Sequence, residues 1–368
     1  MDRKNHKPVR KTKRNKWLIF AKIVGILAIV MLVIYIGSSI LIKVGERRLY
    51  SEATSTAPVL SFEEVEEDGT TEVAEVDPTV VWQEGWVRYN GEIYEYNSDI
   101  LTFLVLGIDK SGEAVESKNA TDGGQSDALF LLVINPDNKK ISILAIDRNT
   151  MTDITMVGMG EYGQDLVSTA QIAVQHGFGD GKNQSCELTR DAVSALYYDL
   201  PIHGYISVNY EAIPIINDAV GGVEVVIPAD AAGMRYGWVE GESVLLKGDA
   251  SIVFVKKRDT NVFGSARMRA SRQKTYLTAL VAKLKEATKA DVTVPLSIYS
   301  KISKYTVTDI TADEMSYLAS ILSDYSFSGE DIYMMPGETV MGETFEEFYP
   351  DMSELKKQMI EIFYEKVQ

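Results

Sequence analysis

A charge-free run of twenty residues, from Ile23 to Ile42, constrains this chain more than any other feature. At a rise of about 1.5 Å per residue, a helix of this length spans roughly 30 Å, the thickness of a bilayer's hydrocarbon core. Eight basic residues and one acid precede the run within residues 1–16. Because basic flanks stay in the cytosol, the sequence predicts a cytoplasmic tail over 1–16, a transmembrane helix over 17–43 and an exported remainder.

A cleaved signal peptide is the alternative interpretation, because the small residues Ala53 and Ala57 lie downstream of the apolar run. The apolar core of a signal peptide usually has only about 7–15 residues, and this run is longer. The pattern therefore favours an uncleaved anchor, with a single pass through the cell membrane and the C-terminal domain outside the cell.

The exported part is strongly acidic. The chain carries a net charge of −16, and removing the tail's +7 leaves −23 on residues 17–368. Such a surface repels anionic polymers, so we expect no nucleic-acid partner, and any phosphate site needs a local basic cleft or a divalent cation. Cys186 is the only cysteine, which excludes an intrachain disulfide and a cysteine-based metal cluster.

Composition divides the exported part into four regions. Residues 44–79 are rich in Ser, Thr and acids and indicate an acidic extracellular stalk. Residues 80–98 alternate around Asn90-Gly91, which predicts a β-hairpin. We expect the main domain over 99–290 and a C-terminal α/β extension over 291–368, packed on that domain.

Apolar patterning within these regions alternates between strands and helices. Short apolar runs predict strands at 101–107, 128–135, 140–146, 203–208, 223–227 and 331–335. Helical periodicity or length predicts helices at 185–198, 210–219, 247–255, 265–290, 311–323 and 351–366. Strands separated by helices are typical of an α/β domain with helices packed on a sheet.

The clearest anomaly is a basic cluster near the long helix. Seven bases and one acid, Asp259, lie in the segment that runs from the first to the last of these bases: Lys256, Lys257, Arg258, Arg267, Arg269, Arg272 and Lys274. Arg269, Arg272 and Gln273 are spaced to project from one side of a helix. Since the arginine fork fits phosphate oxygens, the cluster predicts an oxyanion site, with a network of surface salt bridges as the alternative.

Charged residues also mark the ends of three predicted strands. Asp109 follows the first, Asp127 opens the second and Arg148 follows the third. If these strands are neighbours, the three side chains converge on one mouth of the sheet. Two carboxylates there suit Mg²⁺ (or Mn²⁺), which binds one or two carboxylates together with substrate phosphates. The alternative is that both aspartates only cap turns.

Over residues 99–290 the chain resembles the LytR–CpsA–Psr family. The resemblance lies in the order of five segments: LVLGID, QSDALFLLVINPDNKKISILAIDRNT, GYISVNYEAIPIINDAVGGVEVVIP, LKGDASIVFVKKRDT and RMRASRQKTYL. It implies a central mixed β-sheet flanked by helices. It also implies a membrane phosphotransferase of the Gram-positive cell envelope. Such an enzyme moves a glycopolymer, such as teichoic acid or capsular polysaccharide, from undecaprenyl pyrophosphate to peptidoglycan and forms a phosphodiester.

Roles carried over from the family fall on particular residues. Asp109 and Asp127 match its metal-associated acids. The resemblance implies that catalysis depends on Arg148, Arg258, Arg269 and Asp127. Pyrophosphate binding is expected from Arg148, Lys256, Arg258, Arg269, Arg272 and Gln273. The polyprenyl chain needs an apolar slot, expected between the sheet and the helices near 210–219 and 275–284, and the proton acceptor is left open between Asp127 and Asp259.

Three departures from the family pattern indicate a divergent member. Gln125 stands where an arginine is usual, Asn149 replaces an acid and Lys256 replaces an arginine. Lysine keeps the charge but loses the bidentate fork. Two other functions therefore stay open: a non-catalytic protein that binds or scaffolds lipid-linked polymer, and a polyprenyl pyrophosphate phosphohydrolase.

Overall fold

The computed structural model describes residues 37–51, 56–60, 82–117, 119, 121–259 and 261–367. The predicted tail, the first twenty residues of the predicted membrane helix and most of the predicted stalk lie outside these described residues. Within the described ranges, no helix combines the length and the apolar composition needed to cross a membrane.

All the predicted strands and helices are present, and the structure adds elements that were not predicted: strands at 151–156, 166–171, 243–246, 306–308, 337–341, 346–350 and 364–366 and a helix at 294–302. In chain order the strands are β1 (Trp86–Tyr89), β2 (Glu92–Tyr96), β3 (Leu101–Ile108), β4 (Ser126–Asn135), β5 (Lys140–Ile146), β6 (Met151–Met156), β7 (Leu166–Gln171), β8 (Gly204–Asn209), β9 (Val223–Val226), β10 (Ser243–Leu246), β11 (Thr306–Thr308), β12 (Ile332–Met334), β13 (Gly337–Met341), β14 (Glu346–Pro350) and β15 (Tyr364–Lys366). The helices are α1 (37–51), α2 (Asn183–Leu196), α3 (Ala212–Ala219), α4 (Asp249–Lys256), α5 (Ser265–Ala290), α6 (Val294–Ile302), α7 (Ala312–Leu322) and α8 (Met352–Phe363).

A mixed sheet lies at the centre of the described residues, in the order β11-β8-β3-β4-β5-β12. β3, β4 and β5 pair antiparallel, whereas β8 is parallel to β3 and β12 is parallel to β5. The predicted class, an α/β fold with helices flanking a central mixed sheet, is therefore confirmed for the described residues.

The C-terminal segment does more than pack on the domain. Its strands β11 and β12 form the two outer strands of the central sheet, next to β8 and β5. Its last strand, β15, adds to the predicted hairpin β1–β2 to make a small three-stranded sheet. Residues after 290 are therefore part of the main domain's sheet, which corrects our description of them as a packed extension.

Side chains of β4 alternate between two apolar layers, as strand geometry dictates. Leu129, Leu131 and Val133 face a core shared with Val193 of α2. Phe130 and Leu132 face the opposite side, where α3 and α5 cover the sheet. Both faces of the central strand are thus apolar, which explains its nearly continuous apolar sequence.

Residues 37–51 form helix α1, which lies against α7. Leu49 is 3% exposed, and the ring of Tyr50 meets the edge of Tyr317 at 6.4 Å between centroids. Arg48 donates to the hydroxyl of Thr311 at 3.2 Å. Residues 44–51, which we had assigned to the stalk, are therefore helical and packed on the domain.

The pKa shifts of two buried histidines predict that the domain loses stability in acid. Burial lowers the pKa of His176 and of His203 to about 4 each, against about 6.5 in an unfolded chain. A depressed folded-state pKa contributes stability that is complete above about pH 6.5 and is lost as the pH falls towards 4. We expect the free energy of unfolding to fall by on the order of 3 kcal/mol per histidine across this window.

Urea unfolding at several pH values between 7.5 and 4.5 measures this loss. In the His203→Asn variant an amide oxygen can replace Nδ1, which accepts from the backbone N–H of Thr102 at 3.1 Å. This variant should show a flatter pH dependence than the wild-type chain. A variant curve with the wild-type slope would contradict the assignment to His203.

Candidate active site

A β-bulge presents Asp127 at the end of the central strands. Gly107 pairs with Ala128 while Ile108 pairs with Ser126, so Asp127 is the extra residue on β4. Bulges interrupt the alternation of side chains and redirect them, often beside active sites. The bulge places the Asp127 carboxylate between β4 and the arginines that follow β5 and begin α5.

Three side chains bind the carboxylate of Asp127. Arg148 Nε lies 3.2 Å from Oδ1, and Arg269 Nη1 lies 3.2 Å from Oδ2. The hydroxyl of Tyr210 donates to Oδ2 at 2.7 Å. Arg148 also donates to the side-chain oxygen of Gln125. The structure therefore brings together Asp127 and Arg148, two of the three strand-end residues predicted to converge, and adds Arg269 from the basic cluster of the long helix.

The neighbouring charges determine whether Asp127 and Tyr210 are ionised. Burial alone would raise the pKa of Asp127, but the charges of Arg269 and Arg148 and the hydrogen bond from Tyr210 outweigh it, so the pKa lies below its usual value. Burial, followed by the negative charge of Asp127, raises the pKa of Tyr210. Asp127 is thus an ionised acceptor and Tyr210 a protonated donor at neutral pH.

Arg258 adds a third arginine to the cluster, close enough to Arg148 and Arg269 for their charges to act on it. Burial lowers its pKa first, and the positive charges of Arg269 and Arg148 lower it further, against the weaker attraction of Asp127 and Glu346. Its guanidinium donates to the hydroxyl of Ser265 at 3.3 Å. A partly buried cation repelled by two others favours the binding of an added anion.

Lys256 and Gln273 lie at the same mouth but are held by other groups. The ammonium of Lys256 sits 3.7 Å from the ring centroid of Tyr210, a cation–π contact. Gln273 donates to the carbonyl of Val255 at 3.2 Å. Both residues line the cavity described below, so the structure brings them to the predicted site.

Arg272 does not join this cluster, which corrects our sequence interpretation. Its side chain is 2% exposed and forms an ion pair with Asp230. It also donates to the carbonyls of Phe254 and Lys257. The guanidinium therefore ties α5 to the end of α4, and its partners are Asp230 and these two carbonyls rather than Asp127.

Asp109 lies beside the site and also caps a turn. Its carboxylate accepts the backbone N–H of Gln125 at 2.6 Å, and its charge acts on Tyr210. Nowhere in the described ranges do three or more His, Cys, Asp or Glu side chains group as a metal site. Carboxylates such as those of Asp109 and Asp127 are the ligand type that Mg²⁺ uses, together with water and substrate phosphate oxygens, but both oxygens of Asp127 already face Arg148, Arg269 or Tyr210.

An apolar cavity of about 350 Å³ opens at this cationic mouth. Asp127, Lys256 and Arg269 stand at its polar end. Its walls are apolar side chains of the sheet, α3 and α5: Phe130, Leu132, Ile213, Ile216, Leu280 and Val281. This is the place where we predicted a slot for a polyprenyl chain, between the sheet and the helices near 210–219 and 275–284.

Sequence reasoning missed two residues at the site. Tyr210 follows β8, and Asn209 pairs with Ile108 in parallel register, so the strand-end argument used for Asp109 would also have found it. Glu346 belongs to the hairpin β13–β14, and its carboxylate accepts the N–H of Gly264 at 2.7 Å. No local pattern marks Glu346, since only tertiary packing brings it here.

The fold and the site together define an α/β domain that presents a cationic cluster at the mouth of an apolar cavity. The chain belongs to the LytR_cpsA_psr family, whose model matches residues 63–361. The resemblance noted in the sequence is therefore confirmed, and it extends beyond residue 290 into the segment that supplies β11 and β12.

Curated relatives include transferases. The polyisoprenyl-teichoic acid–peptidoglycan teichoic acid transferase TagU of Bacillus cereus (strain AH820) is 29% identical over 241 residues, which cover 66% of this chain and 70% of TagU. TagU of Halalkalibacterium halodurans is 28% identical over 222 residues, covering 60% and 65% of the two chains.

Solved structures share the fold. B. subtilis TagV superposes with a TM-score of 0.54 at 22% identity, covering 71% of this chain and 96% of TagV. A structure of TagT bound to LI-WTA gives 0.52 at 18% identity, covering 72% and 89%.

Proposed function

We propose that this protein is a transferase that moves a glycopolymer from a polyprenyl pyrophosphate carrier to peptidoglycan. The observation that carries the proposal is a cluster of three arginines around Asp127 that adjoins an apolar cavity at one mouth of the sheet. A ligand that satisfies both must join a multiply charged anion to a long apolar chain. The names of the TagU relatives support the same substrate class.

The reaction would be a displacement at phosphorus. A hydroxyl oxygen of peptidoglycan bonds to the phosphorus that carries the glycopolymer, and the bond from that phosphorus to the bridging oxygen breaks. Polyprenyl phosphate leaves, and the hydroxyl proton passes to an acceptor for which Asp127 and Asp259 are the candidates. Arg148, Arg258 and Arg269 would stabilise the charge that develops on the phosphate oxygens.

Mg²⁺ or Mn²⁺ belongs to the proposal as a cofactor. Asp109 and Asp127 would hold the ion, which would neutralise further phosphate charge when bound. Titration of the purified chain with Mg²⁺ in the presence of a chelator, with turnover as the readout, measures the metal requirement.

The proposed location is the outer face of a Gram-positive cell membrane, with residues 17–43 as a single-pass anchor.

One experiment separates this proposal from its two rivals. The full chain is purified in detergent and incubated with a polyprenyl pyrophosphate-linked glycan, peptidoglycan and Mg²⁺. Transfer predicts a phosphodiester-linked product and polyprenyl phosphate in equal amounts. Release of phosphorylated glycan whether or not peptidoglycan is present would instead identify a phosphohydrolase. Tight binding without turnover would identify a scaffold, and the absence of both binding and turnover would sink the proposal.

The apolar cavity gives a second test. Val281→Trp places a large ring in the cavity and displaces part of the bound chain. If about two CH₂ groups are no longer buried, the lost binding free energy lowers the affinity for a long-chain polyprenyl phosphate about 10-fold. Ala282→Trp is the matched control, because Ala282 is exposed on the same helix. Affinity is measured by calorimetry in detergent, and equal affinities for the two variants would contradict the cavity assignment.

A further inference from the structure

Helix α5, which carries Arg269, begins without a capping side chain of its own. Gly264 occupies the N-cap position, where a side-chain hydrogen bond is missing, and the first turn contains no acid. Arg267 instead places a positive charge near the positive end of the helix dipole. Helix starts usually gain stability from Ser, Thr, Asp or Asn caps and from acids in the first turn.

A carboxylate from the far end of the chain fills this role. Glu346 Oε1 accepts the backbone N–H of Gly264 at 2.7 Å, across 82 residues of sequence. The contact satisfies a donor at the helix start and places a negative charge at the positive end of the dipole. Glu346 lies on β14, a strand outside the central sheet.

The same strand is attached to the segment that carries Arg148. The N–H of Phe348 donates to the carbonyl of Asn149 at 2.9 Å. Gln171 donates to the carbonyl of Glu346 at 2.7 Å and to the side-chain oxygen of Asn149 at 3.3 Å. The amide of Asn149 approaches Glu346 Oε2 at 3.5 Å, a weak contact.

β14 therefore joins the two backbone segments that carry the arginines: its backbone bonds to the segment of Arg148, and the Glu346 side chain supplies the contact to α5. On one side is Arg148, next to Asn149. On the other side is the first turn of α5, where Ser265 accepts from Arg258 at 3.3 Å and Arg269 follows one turn later. The Glu346 charge also acts directly on Arg258.

We propose that Glu346 is a positioning residue that sets the spacing of Arg148, Arg258 and Arg269 for the binding of a diphosphate. This inference deepens the proposed function and rests on it for the identity of the substrate. Glu346 acts through the arginines and the start of α5, so its removal shifts them while the fold stays intact.

Glu346→Ala should lower kcat/KM for the lipid-linked donor on the order of 10-fold, as expected for a small misplacement of charged groups. Glu346→Gln keeps an oxygen that can accept the Gly264 N–H, so it should lose less. In a double-mutant cycle, the alanine change should cost little once Arg258 is already Ala, because the two residues act through one placement. Additive losses, or a Glu346→Ala variant within twofold of the wild type, would overturn the proposal.

Glu347→Gln is the matched control, since Glu347 is the next residue of β14 and bonds to Tyr349 within the hairpin at 2.7 Å. It should leave kcat/KM unchanged, and a loss equal to that of Glu346→Ala would overturn the specific role. Amide hydrogen exchange of the full chain adds a readout that needs no substrate. Exchange at residues 264–268 should rise in Glu346→Ala and stay unchanged in Glu347→Gln.

Binding of inorganic pyrophosphate separates the failure of this inference from that of the proposed function. If wild-type chain binds pyrophosphate but transfers nothing, the proposed function fails, and a weaker affinity in Glu346→Ala still supports the positioning role. If exchange rises in Glu346→Ala while pyrophosphate affinity and turnover stay at wild-type values, Glu346 is only a helix cap and the inference is wrong.

Discussion

Arg269→Ala should lower the rate of glycopolymer transfer by about 10²–10³, the cost typical of removing one preorganised donor from a transition-state site. Arg269 is 4% exposed and contacts both carboxylate oxygens of Asp127. Its removal deletes one of the three cations that would face the diphosphate. It also leaves Asp127 less compensated, which raises the repulsion that an incoming anion meets.

Steady-state kinetics with the lipid-linked donor measure this loss, and thermal unfolding shows whether the variant is folded. Arg190→Ala is the control, because Arg190 is a surface arginine paired with Asp191 at 3.0 Å. Arg269→Lys keeps the charge without the fork and should recover only part of the rate. Wild-type turnover by a folded Arg269→Ala variant would remove this arginine from the mechanism.

Arg272→Ala has the largest expected effect on stability. The buried guanidinium pairs with Asp230 and donates hydrogen bonds to two backbone carbonyls. Its truncation therefore leaves one carboxylate and two carbonyls without this partner. Breaking a buried ion pair by removing one member typically costs about 3–5 kcal/mol. We expect a loss of this size in the free energy of unfolding, measured by urea denaturation.

Arg269→Ala should therefore lower the transfer rate, whereas Arg272→Ala should lower the free energy of unfolding. At a temperature where it is still folded, Arg272→Ala should turn over donor at close to the wild-type rate per folded molecule. Arg272→Met, which keeps much of the volume without a charge, should be less unstable than the alanine variant. A stable but inactive Arg272→Ala chain would restore the direct role in pyrophosphate binding that the sequence predicts.

The different outcomes for Arg269 and Arg272 show where helical spacing stops being informative. Positions three apart project from similar sides of a helix, and on that basis we predicted one shared site. Spacing fixes the direction of the Cα–Cβ bond, but a long side chain then turns to whichever carboxylate lies within reach. Asp127 is within reach of Arg269 and Asp230 of Arg272, and the sequence does not reveal the second acid.

Most of the site was nevertheless predictable, because the apolar runs identify β3, β4 and β5 and the convergence of their charged ends follows from strand pairing. The bounds of α5 agree with the predicted helix over 265–290. Glu346 escaped prediction because β13–β14 is a short hairpin without a buried periodic face. Its position depends on the isolated bridge between Thr150 and Phe348, a long-range contact that no local pattern encodes.

The bulge at Asp127 has a consequence for the energetics of recognition. The extra residue in β4 is Asp127, and its carboxylate already forms ion pairs with Arg148 and Arg269 before any ligand binds. The guanidinium planes therefore need little rearrangement on binding, and less side-chain entropy is lost at that moment. The same carboxylate repels every incoming phosphate, so a ligand with one negative charge gains little, whereas one with several can overcome the repulsion.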